Sequence, residues 1–321
     1  MLIKSHSLEA AGGVSTVSII FYQLVVLMCL ASVGWVLAKT GKMPDEKPLM
    51  DLLSYAAFPA MAIYSLQVPF SPSLLMDIGL TAFGFVVITV IGALMGALLG
   101  VIFRRPASVT GAWAVCVALS NAIGMGRPVM LALYGEQIIP LTGGILAAII
   151  PGTFLLSAWL FSFGRAHGER LGLKKLLLQP TIIAFFCGIL LFVAPFQLPG
   201  YMLSFLDMIV LMIAPLSMMV IGIQLERCSL RETFLDAKVY WVIFTRLIPV
   251  PVATYFLLRP FIANRVILGV LIIGASMPSA GVIPLLAAQY DNDALFCSKV
   301  VFMSTLFCVL TIPLLTSLLM G

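Results

Sequence analysis

Polar residues interrupt two otherwise apolar stretches of the chain, and their types point to ligand binding. The first stretch contains Ser120 and Asn121, with Arg127 six residues further on, and the second contains Ser276 and Ser279. Amide and hydroxyl groups donate directed hydrogen bonds, and a guanidinium pairs with a carboxylate through two parallel bonds. These five residues are therefore predicted to bind a small organic anion.

A structural interpretation of the same residues stays open. The amide and hydroxyl groups could satisfy backbone groups that a broken helix sets free, or bond to a neighbouring helix. Arg127 is the only permanent charge at either interruption in the sequence, and it could also extend to the outer surface or pair with a protein group. An arginine at the centre of a span costs about 2.5–3.5 kcal/mol. Binding is the preferred interpretation for Asn121 and Arg127, and the serines show no preference.

Glycine and proline in the same stretches are expected to shape the backbone. They weaken a helix in the middle of a membrane span, which is tolerated where the backbone lines a cavity. Paired broken helices at matching places in two halves are a strong sequence indicator of a transporter's binding site. The predicted crossover-shaping residues are Gly124, Gly126, Pro128, Met277 and Pro278.

The composition predicts a single all-α membrane domain. Of 321 residues, 62% are hydrophobic and 10% are charged, and the mean hydropathy is +1.15. Soluble domains carry about 25% charged residues, and a spanning helix needs about 20 residues. A polar N-terminal extension over 1–16 precedes the membrane transport domain over 17–321. Ten spans are predicted, at 17–38, 49–67, 76–103, 110–134, 138–164, 174–194, 201–224, 239–258, 265–289 and 294–319.

Basic residues concentrate in alternate connections between these spans. Lys42, Arg105, Arg170 and Arg227 follow spans one, three, five and seven, and the opposite side carries few basic residues. Because positive residues mark the cytoplasmic side, both termini are predicted to lie outside the cytoplasm of a cell whose plasma (inner) membrane holds the protein. Basic loops facing anionic lipid account for the net charge of +5, so no nucleic-acid partner is expected.

The two halves of the domain match at an offset of 156 residues. Pro59 aligns with Pro215 at this offset, and the two interruptions align as well. The halves form repeat one over 17–164 and repeat two over 174–319. Since each repeat contains five predicted spans, an odd number, the second enters from the opposite face and an inverted repeat is predicted.

Other residues inside the spans suggest coupling or packing. Asp207 is the only acid well inside a span, where it could carry a proton or another coupling ion, pair with a basic residue or lie at the interface. Arg246 is expected to be structural, reaching the cytoplasmic surface or meeting a carboxylate. Gly92, Gly96 and Gly100 predict close helix packing, and whether the neighbour lies in the same chain or in a homodimer stays open.

Signatures of enzymes and cofactors are missing from the sequence. The six cysteines are scattered, without a close pair typical of zinc or redox centres, and no phosphate-binding loop for ATP is present. The protein is therefore predicted to be no enzyme and to use neither a cofactor nor a metal. Its energy source would be the proton gradient or the membrane potential.

The interrupted stretches resemble the auxin efflux carrier family of membrane transporters, whose bacterial members are often called auxin efflux carrier-like permeases. The resemblance covers nearly the whole chain and is carried by Ser120-Asn121 through Gly126 and Pro128, and by Met277-Pro278-Ser279-Ala280. It implies ten transmembrane helices in two inverted five-helix repeats, with broken, crossing helices four and nine, as in bile-acid symporters and sodium/proton antiporters.

The resemblance also implies a substrate class, namely small organic anions such as auxin in plants or dicarboxylates in bacteria. Plant carriers have an Asn-Pro-Asn-like crossover, whereas Ala122 follows Asn121 here, which makes auxin itself a poor candidate.

The predicted function is that of a secondary active transporter, or permease, that moves a small organic anion by alternating access. A membrane ligand sensor or scaffold without transport is the alternative from another class. A cation-coupled antiporter of the same fold is disfavoured, because neither interruption contains an acidic residue.

Overall fold

The computed structural model of the protein describes residues 16–161, 178–194 and 197–320. Regular structure in these three ranges is helical. The predicted N-terminal extension falls outside the described residues except for its last position. Four basic residues that contribute to the predicted orientation also lie outside the described residues, namely Arg165, Arg170, Lys174 and Lys175.

The helices follow the predicted spans along the chain. Those of the first half are α1 (Thr16–Lys39), α2 (Lys47–Leu52), α3 (Phe58–Tyr64), α4 (Pro72–Ile102), α5 (Ala107–Ala118), α6 (Arg127–Tyr134), α7 (Ile139–Pro151) and α8 (Ser157–Phe161). Those of the second half are α9 (Pro180–Val193), α10 (Gly200–Leu211), α11 (Ile213–Glu226), α12 (Leu230–Leu235), α13 (Ala237–Leu247), α14 (Pro249–Leu258), α15 (Arg265–Ser276), α16 (Ile283–Gln289) and α17 (Ala294–Met320). Wider π-helical turns are formed by Leu53–Ala57, Ala122–Gly126 and Gly152–Leu156, and a 3-10 turn by Gly135–Ile138.

The length and hydropathy of these helices are those of a multi-pass, all-α membrane protein. Within the described ranges, six stretches are long and apolar enough to cross a membrane: Val17–Lys39, Pro72–Ile102, Ala122–Phe161, Gly200–Glu226, Ala237–Leu258 and Ala294–Leu319. Shorter apolar helices occupy Ala107–Ala118, Pro180–Val193 and Arg265–Ser276. Ten crossings stay a prediction, since the interruptions divide predicted spans four and nine into shorter helices.

Glycines on α4 allow it to lie directly against α5. A β-carbon on Gly92 would come within 2.6 Å of the Val117 carbonyl oxygen, and one on Gly96 within 2.7 Å of the Ala114 Cα. Two helix backbones can approach this closely only where the side chain is missing. The glycine series of span three therefore packs against a neighbour in the same chain.

The two halves of the chain meet along α1 and α11. A β-carbon on Gly34 would collide with the backbone of Met219, and one on Gly222 would collide with the backbone of Ala31. Reciprocal glycines thus bring a helix of each half into backbone contact.

An ion-pair cluster joins the same region beyond the end of α11. Arg227 Nη2 lies 2.8 Å from Glu46 Oε2 and 3.2 Å from Asp45 Oδ1. The same nitrogen donates a hydrogen bond of 3.0 Å to the Pro44 carbonyl. The backbone N–H of Lys47, together with the Arg227 guanidinium, holds the pKa of Asp45 below its usual value. The connection between α1 and α2 is thereby tied to α11.

Candidate functional site

The two interrupted helices pair with each other through their backbones. The N–H of Asn121 donates to the Pro278 carbonyl at 2.8 Å, and the N–H of Ala280 donates to the Leu119 carbonyl at 3.0 Å. Inside a bilayer, backbone groups without helical partners must be satisfied by the protein. Each interruption supplies such partners to the other.

The sequence of the second interruption explains why α15 ends there. Met277 has an extended backbone, with φ −66° and ψ 150°. The residue before a proline is driven out of the helical region, and Pro278 itself has no N–H to continue the helix. The predicted shaping residues Met277 and Pro278 therefore lie at the position where the chain leaves the helix.

In the first interruption, α5 ends at an extended residue and the chain re-enters a helix through the π-helical turn Ala122–Gly126. A β-carbon on Gly124 would lie 2.6 Å from Asn121 Oδ1 and 2.6 Å from Ser217 Cβ, so glycine leaves room for the asparagine side chain. Pro128 lies at the start of α6, directly after this turn, and has no N–H to donate back to it.

Arg246 connects the two interruptions from α13. Its Nε donates to the Met277 carbonyl at 3.0 Å and its Nη1 donates to the Val117 carbonyl at 2.9 Å, and the side chain is 0% exposed. Carbonyl groups at helix C-terminal ends lack partners and carry partial negative charge. Arg246 is structural, as expected, but its partners are these carbonyl groups rather than the membrane surface or a carboxylate. The interruptions therefore have a second permanent charge, that of Arg246, in addition to Arg127.

Two of the predicted binding serines have backbone partners within the protein. Ser276 Oγ donates to the Ile272 carbonyl at 2.8 Å, and Ser279 Oγ donates to the Cys116 carbonyl at 2.7 Å. Ser279 also forms an isolated antiparallel bridge with Ser120. The Ser279 hydroxyl thus links the two interruptions, whereas the Ser276 hydroxyl bonds within its own helix. A binding role for both stays a prediction.

A cavity of about 90 Å³ lies beside the paired interruptions and is called the Asn121 cavity below. Since about 10–15 Å³ of such space is enough for one water, it has room for several waters or for part of a small ligand. Most of its wall is apolar. Its polar side chains come from Ser54, Ser120, Asn121, Thr153, Gln179, Thr181 and Ser217.

Asn121 presents an unused hydrogen-bond donor at this cavity. Its side chain is 9% exposed, and its Nδ2 has no hydrogen-bond partner in the protein. A buried donor without a partner costs about 1–3 kcal/mol, which a ligand or water oxygen would remove. Ser276 and Ser279 do not line this cavity, so the structure brings only Asn121 and Ser120 of the predicted binding set together here.

Arg127 lies apart from the Asn121 cavity. Its side chain is 7% exposed, and its Nε has no hydrogen-bond partner. It interacts electrostatically with Tyr64 and Asp207, and Tyr64 in turn interacts with the Asp207 carboxylate. Arg127 and Asp207 form no ion pair within 4 Å of each other, so these two described residues interact without direct contact.

A second cavity of about 630 Å³ begins at these residues and is called the Asp207 cavity. Tyr64 and Asp207 line it, together with Gln67 and Glu136. The predicted substrate-binding residues are thus divided between two places, with Asn121 at the smaller cavity and Arg127 beside the larger one.

Comparison with known proteins assigns the chain to a family. Two consecutive segments, 19–171 and 169–316, match the profile of a family described as membrane transport protein. The chain belongs to this family. The membrane transport protein family is that of the auxin efflux carriers, so the resemblance in the interrupted stretches is confirmed, and the protein is a transporter and not an enzyme. The two consecutive matches also indicate an internal repeat.

Relatives in two archaea are similar to this membrane transport protein over most of its length. An uncharacterized transporter of Methanocaldococcus jannaschii is 26% identical over 305 residues, which cover 91% of this chain and 96% of the relative. An uncharacterized transporter of Methanothermobacter thermautotrophicus is 28% identical over 240 residues, which cover 71% of this chain and 76% of the relative.

Two polar residues near the interruptions of this membrane transport protein are not indicated by the sequence pattern. Gln224 on α11 is buried, and its Nε2 donates to the Gly281 carbonyl at 2.8 Å. Tyr64 ends α3 beside Asp207. An amide inside an apolar span is a signal that could identify Gln224, whereas a tyrosine at a span end is too common to identify Tyr64.

Proposed function

We propose that this membrane transport protein is a secondary active transporter that moves a small organic anion, a carboxylate, across the plasma membrane by alternating access. The observation that supports the proposal most is the buried Nδ2 of Asn121, which has no protein partner and belongs to a residue that lines a cavity beside the paired interruptions. A carboxylate oxygen is an acceptor that would satisfy this donor.

In this proposal the chain has ten spans, arranged as two inverted repeats of five, with helices four and nine crossing at the interruptions. The internal repeat of the family profile and the antiparallel pairing of Ser120 with Ser279 support this arrangement. Both termini lie outside the cytoplasm, as the basic connections predict.

Arg127 provides a permanent positive charge for the anion at a second place, beside the Asp207 cavity and apart from the Asn121 cavity. Arg246 binds two carbonyl groups through its Nε and Nη1 and has only its Nη2 without a partner. The Nε of Arg127 has no partner. A guanidinium that is nine-tenths buried and free at one nitrogen can bind a carboxylate with little competition from water.

Uptake by proteoliposomes tests the proposal. Purified protein is reconstituted, and accumulation of labelled mono- and dicarboxylates is measured against protein-free liposomes, with a proton gradient or a membrane potential imposed. Accumulation that depends on the gradient is expected. Saturable binding without accumulation would instead establish the sensor or scaffold alternative.

A cation-coupled antiporter of the same fold is the second candidate. Neither 119–128 nor 275–284 contains an acidic residue, although cation exchange through the membrane calls for a group that can hold the cation. Dissipation of a preset pH gradient by added sodium, in the same proteoliposomes and without carboxylate, would favour this candidate over anion transport.

A further inference from the structure

The Asp207 cavity carries acidic groups, although the proposed substrate is an anion. Among the residues of the described ranges that line it, only Glu136 and Asp207 are charged. With Arg127 beside Asp207, the three groups leave one net negative charge. A plain carboxylate entering this cavity would meet two carboxylates in its lining, while the Arg127 guanidinium lies outside the lining. Like charges at short range repel.

One hydrogen-bond donor without a partner belongs to a residue that lines the same cavity, and a second belongs to Arg127, which interacts with two lining residues. Gln67 accepts a bond of 3.0 Å from the Leu198 N–H through its Oε1, which fixes the amide, and its Nε2 is buried without a partner. The Nε of Arg127 is likewise buried without a partner, and both electrostatic neighbours of Arg127, Tyr64 and Asp207, line the cavity. These donors suit a carboxylate, whereas the two acids suit a cation.

We propose that the Asp207 cavity binds a carboxylate that also carries a protonated amine, as an amino acid does. The carboxylate lies toward Arg127 and Gln67, and the ammonium group lies toward Asp207 and Glu136. This inference rests on the proposed carboxylate transport and names its substrate class more closely. A volume of about 630 Å³ is in the range of ligand cavities, which is about 300–1,000 Å³.

Glu136 and Asp207 lie at different depths, so they contribute differently to binding of the ammonium group. Glu136 is exposed in the 3-10 turn Gly135–Ile138, so it contacts water and attracts the ammonium group at the mouth of the cavity. Asp207 is half-buried on α10, next to Tyr64, where a charge is screened less by solvent. Asp207 should therefore contribute more to selectivity than Glu136.

Matched pairs of ligands test the inference on the purified, full-length protein. Affinities are measured by calorimetry for propanoate against alanine and for succinate against aspartate, with propylamine as the amine without a carboxylate. Each aminated carboxylate is expected to bind at least tenfold more tightly than its partner, and propylamine should bind weakly. Equal affinities within the pairs, or propylamine binding as tightly as alanine, would overturn the inference.

Variants that remove the charge of one acid test which residue causes the preference for an aminated carboxylate. Asp207→Asn should reduce the preference for the amine at least tenfold and leave propanoate binding unchanged or tighter. Glu136→Gln, at an exposed position that tolerates replacement, should reduce the preference by a smaller factor. Asp77→Asn is the matched control, since this acid on α4 does not line the cavity. The Asp77→Asn protein should prefer the aminated ligands as strongly as the parent does. A preference that survives in both Asp207→Asn and Glu136→Gln contradicts the inference.

The same experiments separate this inference from the proposed function. Carboxylates that are bound and transported without a preference for an amine leave the proposed transport intact and refute the amino-carboxylate assignment. If neither member of any pair is bound or transported, the proposed carboxylate transport itself fails.

Discussion

Arg246 donates from its Nε to the carbonyl oxygen of Met277 at 3.0 Å, and the side chain that makes this bond has no exposed surface. Its Nη1 donates to the Val117 carbonyl on the other interrupted helix. Replacing Arg246 by Met leaves both carbonyl groups without this donor. Because each buried acceptor without a partner costs about 1–3 kcal/mol, Arg246→Met should lower the free energy of unfolding by about 2–6 kcal/mol. Thermal or denaturant unfolding in detergent measures this loss.

Arg265→Met is the control for this prediction. Arg265 is exposed, and replacing an exposed residue usually changes stability by no more than about 0.5 kcal/mol. Equal melting temperatures for the two variants would show that Arg246 does not hold the interruptions together.

Asn121→Ala should weaken binding of the transported carboxylate. Losing a hydrogen bond to a charged ligand costs about 1.5–3 kcal/mol, which corresponds to at least a tenfold rise in the dissociation constant. Ser276→Ala is the matched control, because this hydroxyl already bonds to the Ile272 carbonyl and does not line the Asn121 cavity. If both variants bind like the parent, Asn121 only packs between helices.

Arg127 should determine the preference for anions. Arg127→Lys keeps the charge but loses the planar pair of donors, so binding should weaken. Arg127→Gln also removes the charge and should weaken binding further, with larger losses for dicarboxylates than for monocarboxylates. Transport of both series by the three proteins in proteoliposomes measures the effect, and unchanged transport by Arg127→Gln would make the residue structural.

Gly222→Ala should destabilise the contact between α1 and α11. The added methyl group collides with the backbone of Ala31, which cannot move aside as a side chain could, and overpacking of this kind costs about 1–3 kcal/mol. Gly79→Ala on α4 is the control, since nothing lies within 4 Å of its β-carbon position and alanine favours a helix over glycine. Equal stability of the two variants in detergent would rule out the close contact.

The predicted orientation can be tested with fused reporters. A reporter that is active only in the cytoplasm should be inactive when it is fused after Gly321, and active when the chain is truncated and fused after Lys42. The basic connections are the physical reason for both outcomes. Strong activity after Gly321 would contradict either ten spans or the orientation.

Local composition explains which parts of this architecture could be predicted. A span is a property of about 20 consecutive residues, and Pro278 or Gly124 weakens a helix wherever it occurs, so both helices and interruptions are visible in the sequence. The partners of Arg246 are not visible in the sequence, because Val117 lies 129 residues away and only the packing of the folded chain brings the two residues together. The proximity of Arg127 to Asp207 could not be predicted for the same reason, since the sequence around each residue gives no indication of the other.

The backbone bonds between the interruptions have a consequence for how the protein is made. Asn121 leaves the ribosome 157 residues before Pro278, the residue whose carbonyl accepts its N–H. At about 5–20 residues per second, that separation corresponds to roughly 8–30 seconds of synthesis. Throughout this interval the amide of Asn121 and the carbonyl of Leu119 have to be satisfied by water or by temporary protein contacts. The centre of the molecule is therefore assembled last, after the nascent chain has delivered nearly all of its helices to the membrane.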